Sequence, residues 1–112
     1  MTRFKVELDH LSSGSNRPIM LLLDLMGRKW MMRILWELGK GACTFRELQS
    51  RCGDLSPTMV NKRIRELTDA QLVRKNPERG YELTPQAEEL TRLFLPLIGW
   101  SEQWIKGDSR ME

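Results

Sequence analysis

Residues 44–84, TFRELQSRCGDLSPTMVNKRIRELTDAQLVRKNPERGYELT, decide the fold. Thr44 and Glu47 have the spacing of a capping box, so a helix is expected to begin after Thr44. Ser56-Pro57 predicts the start of a second helix, because serine is a good N-cap and proline at the first helical position loses no hydrogen bond. A short turn that contains glycine, residues 52–55, separates the two helices. The segment therefore predicts a helix-turn-helix.

A β-hairpin is expected to follow the second helix. Residues 72–75 and 81–83 are two short β-prone runs, and residues 76–80 between them include the turn formers asparagine, proline and glycine. A hairpin attached to a helix-turn-helix makes a winged helix-turn-helix. We therefore expect a mainly α fold with a small β-hairpin, in which the second helix is shaped to enter the major groove of DNA.

The second helix separates an apolar face from a polar face. At about 100° per residue, Val60, Ile64 and Leu67 fall on one stripe, which we expect to be buried. The opposite side presents two cations and two hydrogen-bonding side chains, namely Thr58, Asn61, Lys62 and Arg65. Such side chains suit base edges and phosphates. A solvated helix face carries similar charges in many proteins, so this helix alone does not decide between the two interpretations.

The predicted DNA-binding residues come from both helices and from the hairpin. Those of the second helix are expected to contact bases or phosphates, and those of the first helix and the hairpin to position the DNA backbone. The full set is Thr44, Arg46, Ser56, Pro57, Thr58, Asn61, Lys62, Arg65, Lys75 and Arg79. Arg63 falls at the edge of the buried stripe. We expect its stem to pack on the core and its guanidinium to reach the surface, within range of phosphate.

Positive charge is concentrated on the same part of the chain. The net charge is only +3, with a sequence pI of about 9.1. Residues 28–79 nevertheless hold twelve basic side chains against six acidic ones, whereas residues 80–112 hold three basic against six acidic. A polyanion would be attracted to the helix-turn-helix and repelled by the C-terminal part, which orients an encounter.

Composition and motifs argue against an enzyme. His10 is the only histidine, and no group of Cys, His and carboxylate residues has metal-ligand spacing. No glycine-rich phosphate loop or nucleophile elbow is present. We therefore predict no catalytic residues, no metal and no cofactor. The longest apolar run, residues 19–23, is too short to span a bilayer and no secretory signal is evident, so a cytoplasmic location is expected.

The two cysteines flank the first helix of the motif. Nine residues of helix would place Cys43 and Cys52 about 13 Å apart, too far for a disulfide. Unpaired cysteines agree with a reducing compartment. We expect both to be small, partly buried hydrophobic side chains.

The N-terminal part divides into an arm and the start of a domain. Alternating apolar and charged residues in 1–11 predict a short strand, and residues 12–16 predict a flexible link. Residues 1–16 are thus an arm and linker, and residues 17–112 are one winged helix-turn-helix domain with a C-terminal dimerisation helix.

Two core helices are expected before residue 44. The first spans 18–26 and is expected to turn Ile19, Leu22, Leu23 and Met26 to the core. The second carries Trp30, Ile34, Leu35 and Leu38 and stops at residues 39–41. Arg28 and Lys29 lie near the start of that second helix, where the helix dipole disfavours cations. We expect them to face solvent, with a phosphate as the alternative.

The C-terminal helix carries a long apolar seam. Thr84-Pro85 predicts its start, and Pro96 should kink it or begin a new helix. Apolar residues follow at alternating spacings of three and four, as in a coiled coil, at Leu90, Leu93, Leu97, Trp100 and Trp104. We predict a homodimer through this seam. Two recognition helices spaced by one turn of DNA, roughly 34–36 Å, would read a palindrome.

The motifs resemble those of the HxlR-type transcriptional regulators, a branch of the MarR-like winged-helix proteins. The resemblance rests on LDLMGRKWMMRILWEL, FRELQ, LSPTMVNKRIRELTDAQLV and YELTPQAEEL, and it covers residues 18–104. It implies a cytoplasmic bacterial or archaeal homodimer that forms through its N- and C-terminal helices and regulates genes by binding operator DNA. We expect a repressor, with an unidentified small-molecule effector as a further partner. The alternative is a winged-helix adaptor that binds only protein.

Three positions depart from the family pattern. Arg17 stands where many members have a cysteine that senses oxidants or electrophiles, so thiol sensing by that route is not implied. The loop of residues 76–80 is shorter than the usual proline-rich wing, which leaves minor-groove insertion open. Gln71 replaces a glycine, so the chain is expected to turn there without glycine's freedom at positive φ.

Overall fold

The computed structural model describes the backbone of residues 17–111 and the side chains of residues 17–107. Within these residues, six helices and one antiparallel hairpin follow in the order α1 (Pro18–Met26), α2 (Met31–Gly39), α3 (Phe45–Arg51), α4 (Pro57–Asp69), β1 (Val73–Asn76), β2 (Gly80–Leu83), α5 (Pro85–Phe94) and α6 (Pro96–Met111). The predicted mainly α fold with a small β-hairpin is confirmed. The strand predicted in residues 1–11 and the linker at 12–16 lie outside the described residues.

Local capping interactions define where the helices of the motif begin. The Thr44 hydroxyl accepts a hydrogen bond from the Glu47 backbone N–H at 3.1 Å, and the Glu47 carboxylate accepts one from the Thr44 N–H at 2.9 Å. The Ser56 hydroxyl accepts from the Met59 N–H at 3.2 Å. Both predicted helix starts are therefore confirmed, and each cap satisfies backbone donors that a helix leaves unpaired.

The core lies between α2, α3, α4 and the hairpin. The predicted stripe of Val60, Ile64 and Leu67 is buried, and it packs in one cluster with side chains of α2 and α3 such as Leu35 and Leu48. These contacts fix which side of α4 faces outward. Truncation of such a fully buried leucine typically costs about 2–5 kcal/mol, so the orientation of α4 is strongly determined.

The predicted core face of α1 is confirmed for Met26 and wrong for Ile19 and Leu23. Ile19 and Leu23 are 54% and 55% exposed, Leu22 is only partly buried, and Met26 is buried together with Leu25 at the end of the helix. The helix therefore contacts the core of its own chain through its C-terminal turn. In α2 the expected burial of Ile34, Leu35 and Leu38 is confirmed, although Trp30 precedes the helix with a φ of 70°.

The C-terminal region consists of two helices rather than one. As predicted, the chain breaks at Pro96, so that α5 ends at Phe94 and α6 begins at the proline. Leu90 is half-buried and packs on the core, whereas the other seam residues, Leu93, Leu97, Trp100 and Trp104, are exposed. Among the described residues, no helix is both long enough and apolar enough to cross a membrane.

Candidate nucleic-acid interface

The outward face of α4 forms the centre of the candidate interface. Thr58, Asn61, Lys62 and Arg65 are all exposed on the side opposite the buried stripe. Ser56 and Pro57, at the start of the helix, are exposed as well. The helix thus presents its N-terminal end and two cationic side chains to solvent, an arrangement that fits insertion into a major groove.

A network of charged groups anchors the opposite side of α4. The Arg63 Nε donates to the Lys29 carbonyl oxygen at 2.7 Å, and its Nη1 donates to the Glu66 Oε1 at 2.5 Å. The Arg28 Nη1 donates to the Glu66 Oε2 at 2.6 Å, and a second Arg28 nitrogen lies 3.6 Å from Asp24. Glu66 therefore joins α4 to the turn between α1 and α2.

Two sequence expectations are corrected by this network. The Arg63 guanidinium does not reach the surface, because the residue is only 7% exposed and is held by Lys29 and Glu66. Arg28 is not simply solvated, since its side chain is only 24% exposed and pairs with Glu66 and Asp24, whereas Lys29 is exposed as expected. Sequence reasoning missed both contacts because Arg28 and Glu66 are 38 residues apart in the chain.

The hairpin, or wing (residues 73–83), has a tip held by a side chain. The Asn76 Oδ1 accepts from the backbone N–H groups of Glu78 and Arg79 at 2.8 and 3.1 Å. The Asn76 Nδ2 donates to Glu82 at 2.7 Å, and the Arg74 Nε donates to the same carboxylate at 2.6 Å. These hydrogen bonds lower the pKa of Glu82. The short wing is therefore an ordered element that presents Lys75 and Arg79.

The wing is fastened to the first helix of the motif. The Cys43 N–H donates to the Tyr81 carbonyl at 3.0 Å, and the Tyr81 N–H donates to the Cys43 carbonyl at 2.8 Å. Gly80, with a φ of 104°, permits this approach, since a Cβ there would lie 2.5 Å from the Cys43 oxygen. Thr44 consequently lies beside the wing, and Arg46 follows it in the first turn of α3; both are exposed.

The twelve cations of residues 28–79 fall into two groups. Five form ion pairs, namely Arg28, Arg33, Lys40, Arg63 and Arg74, and Arg51 donates to backbone carbonyls. The other six, Lys29, Arg46, Lys62, Arg65, Lys75 and Arg79, are exposed and have no carboxylate within 4.0 Å among the described residues. All five predicted DNA-binding cations belong to this unpaired group. Lys29 is the member that sequence reasoning did not select.

The cysteines are buried in the core. Cys43 and Cys52 are both free thiols, and burial raises the pKa of each. A raised pKa disfavours the thiolate, which is the reactive form. The expected role of both as small hydrophobic side chains agrees with this environment. Within the described part of the chain, no cluster of three His, Cys, Asp or Glu residues could hold a metal ion.

Gln71 adopts the backbone conformation usually reserved for glycine. Its φ is 62°, so the chain does use the left-handed region at this turn, and a glutamine side chain bears the associated strain. The Thr84 hydroxyl donates to the Gln71 carbonyl at 2.8 Å, which ties the turn after α4 to the start of α5.

Comparison with known proteins identifies relatives of this architecture. Residues 25–109 match the family model described as HxlR-like helix-turn-helix. The HTH-type transcriptional regulator YvaP of Bacillus subtilis (strain 168) is 25% identical over 89 residues, an alignment that covers 74% of this chain and 82% of YvaP.

Solved structures share the fold. Quinone-bound YodB from B. subtilis superposes with a TM-score of 0.69 at 26% identity, over 78% of this chain and 98% of YodB. A possible HxlR family transcriptional factor from Thermoplasma volcanium GSS1 gives a TM-score of 0.69 at 26% identity, over 80% of this chain and 86% of the other. The relatives are regulators rather than enzymes.

Proposed function

This chain belongs to the HxlR-like helix-turn-helix family of transcriptional regulators, and we propose that it represses genes as a homodimer bound to a palindromic operator. One observation carries the proposal. Six cations of residues 28–79 form no ion pair among the described residues, and five of them lie on the recognition helix α4, at the start of α3 and on the wing; the sixth, Lys29, lies in the turn before α2. Unpaired charge in this pattern suits a duplex phosphate backbone.

Each predicted residue then has a role in the complex. Thr58, Asn61, Lys62 and Arg65 enter the major groove, where Asn61 and Arg65 have the geometry for paired hydrogen bonds to adenine and guanine. The N-terminal end of α4, with Ser56 and Pro57, meets the DNA backbone. The remaining contacts to phosphate come from Thr44, Arg46, Lys75 and Arg79.

The test is a fluorescence anisotropy titration of the full chain with its own upstream region and with random duplex. We expect tighter binding to the upstream region and a linear fall of log K with log salt, with a slope of about 0.9 per phosphate neutralised. An adaptor that binds only protein would show weak binding to both duplexes, without preference. That result would refute the proposal.

Substitution of Arg65 with alanine separates base reading from phosphate contact. We expect a loss of about 1–3 kcal/mol in operator binding, together with weaker discrimination against random duplex if the side chain reads guanine. If Arg65 touches phosphate instead, binding to both duplexes should weaken equally and the salt slope should fall by about 1 per site. Arg92→Ala removes an exposed cation from α5, outside the proposed interface, and serves as the control. Unchanged binding by Arg65→Ala would remove this residue from the interface.

The apolar surface of α6 supports a homodimer. Trp100 and Trp104 are 62% and 59% exposed, and their rings stack with centroids 5.5 Å apart. Leu93 and Leu97 continue the exposed seam, and Ile19 and Leu23 of α1 are exposed apolar side chains as well. Large contiguous apolar patches are uncommon on monomeric proteins and mark association sites. We propose that N- and C-terminal helices of two chains cover one another through these side chains.

Replacement of Trp100 with glutamate should yield a monomer. A charge placed in the apolar seam must be desolvated on association, so we expect dimer affinity to fall by tenfold or more. Sedimentation equilibrium measures this directly. Gly99→Glu adds the same charge about 100° around α6 from Trp100. It lies outside the seam and an added Cβ there meets open space, so this variant should remain dimeric. Equal association by the two variants would exclude the seam as the interface.

Three further assignments complete the proposal. Residues 17–112 act as one unit that both binds DNA and dimerises, and the protein works in the cytoplasm. A small-molecule effector regulates binding, in line with the YodB structure that was solved with a quinone bound. We do not extend thiol sensing to this chain, because Arg17 occupies the position of the family cysteine and burial raises the pKa values of Cys43 and Cys52.

A further inference from the structure

A cavity of about 540 Å³ lies between the end of α2, the wing and α5, and it shares Arg79 with the proposed DNA-binding face. Its volume falls in the range of about 300–1,000 Å³ that is typical of sites for small organic molecules. Trp36, Leu83 and Leu95 supply apolar walls from three different elements. Such a wall would hold the hydrophobic body of a ligand.

The charged groups of the cavity differ in what they already bind. Arg74 donates to Glu82, and Lys40 lies 3.1 Å from Glu37, so both cations have carboxylate partners. Arg92, also in the lining, has no carboxylate within 4.0 Å among residues 17–107. Its guanidinium is therefore available to an anion from solution, and guanidinium groups bind carboxylates and phosphates through paired hydrogen bonds.

We propose that this cavity binds a small organic anion, a carboxylate or phosphate on an apolar body, with Arg92 as the main charge partner. Arg79, another cation of the lining that forms no ion pair among the described residues, assists. Glu88 also lines the cavity, and its like charge weakens anion binding. The cavity thus contains two cations, Arg92 and Arg79, that should favour the ligand, and one carboxylate, Glu88, that should oppose it.

Ligand binding at this position would influence the wing. Arg79 is both a cavity residue and a proposed phosphate contact, so an anion and DNA would compete for its guanidinium. Linkage then requires that each ligand weaken the other by the same factor. This coupling, unlike anion binding itself, rests on the proposed DNA-binding function.

Isothermal titration calorimetry of the full chain without DNA tests the site directly. The probes are benzoate and phenyl phosphate, with benzamide as a neutral molecule of similar shape. We expect saturable binding of at least one anion and none of benzamide. Arg92→Gln should weaken anion binding by about tenfold or more, because it removes a charge-assisted hydrogen bond. Glu88→Gln should strengthen binding several-fold, because it removes a repelling charge.

A control variant and a second measurement complete the test. Lys29→Gln removes an exposed cation that is not part of the cavity lining and should leave anion binding unchanged. Absence of saturable anion binding, or equal affinities in the Arg92, Glu88 and Lys29 variants, would overturn the proposal. Operator binding by the unliganded protein is measured separately, so failure of the anion site is distinguishable from failure of the proposed function.

Discussion

Replacement of Gly80 with alanine is expected to lower the free energy of unfolding by about 2–5 kcal/mol. Two effects combine. A φ of 104° is strained for any residue with a Cβ, and the added carbon would lie 2.5 Å from the Cys43 oxygen and 2.7 Å from the Thr44 Cα. Left-handed backbone costs about 1–2 kcal/mol and overpacking about 1–3 kcal/mol. Both colliding atoms belong to backbone, so no side-chain rotation relieves the contact.

Urea denaturation at a fixed protein concentration measures this loss, and a matched variant isolates its origin. Gly41 also has a positive φ, 140°, but nothing lies within 4 Å of an added Cβ. Gly41→Ala should therefore lower the free energy of unfolding only by the cost of placing alanine at a positive φ. If Gly80→Ala were no less stable than Gly41→Ala, the close contact between the wing and residues 43–44 would be contradicted. We also expect Gly80→Ala to bind DNA weakly, because the wing is displaced from Thr44 and Arg46.

Features that depend on neighbours in sequence were predictable. The caps at Thr44, Ser56 and Thr84 act over three residues, and the structure forms all three. The stripe of Val60, Ile64 and Leu67 follows from helical periodicity alone. These interactions use short stretches of chain, so the residue pattern contains the information needed to recognise them.

The misassigned face of α1 has a different cause. Sequence periodicity shows that a helix has an apolar side but does not show what covers it. The periodicity of α1 predicts that the chain's own core covers Ile19 and Leu23, whereas both are exposed and burial is confined to Leu25 and Met26, with Leu22 partly buried. The same pattern in α6 was interpreted as a surface for a partner, and its seam is exposed apart from Leu90.

The residue types of the candidate site were predictable from the sequence, but which of its cations form ion pairs was not. Sequence alone cannot distinguish Arg63, which is sequestered by Glu66, from Arg65, which is exposed without an ion pair among the described residues. That distinction depends on contacts between segments 34 to 38 residues apart. The same reason applies to Lys29. The sequence does not show that Arg28 pairs with Glu66 while its neighbour Lys29 stays exposed without an ion pair among the described residues.

Glu66→Ala is expected to destabilise the fold by about 2–4 kcal/mol and to weaken operator binding. Glu66 accepts hydrogen bonds from both Arg28 and Arg63. Its removal leaves the Arg63 guanidinium without a carboxylate partner, in a residue that is only 7% exposed. Breaking a buried pair by removing one partner costs about 3–5 kcal/mol, and we lower that figure because the Glu66 side chain remains 21% exposed. The recognition helix α4 also loses its tie to the turn between α1 and α2.

A second substitution tests whether the unpaired charge of Arg63 causes the loss of stability in Glu66→Ala. If it is, Arg63→Met combined with Glu66→Ala should cost less than the sum of the two single changes, because no unpaired buried cation remains. Glu66→Gln keeps an acceptor of the same size and should fall between Glu66→Ala and the unmodified chain. Urea denaturation of the unmodified chain, Arg63→Met, Glu66→Ala and the double variant gives the coupling energy between the two residues. Fluorescence anisotropy with the operator reports whether α4 keeps its orientation. Additive costs would contradict the network, and full operator affinity in Glu66→Ala would show that α4 keeps its orientation without Glu66.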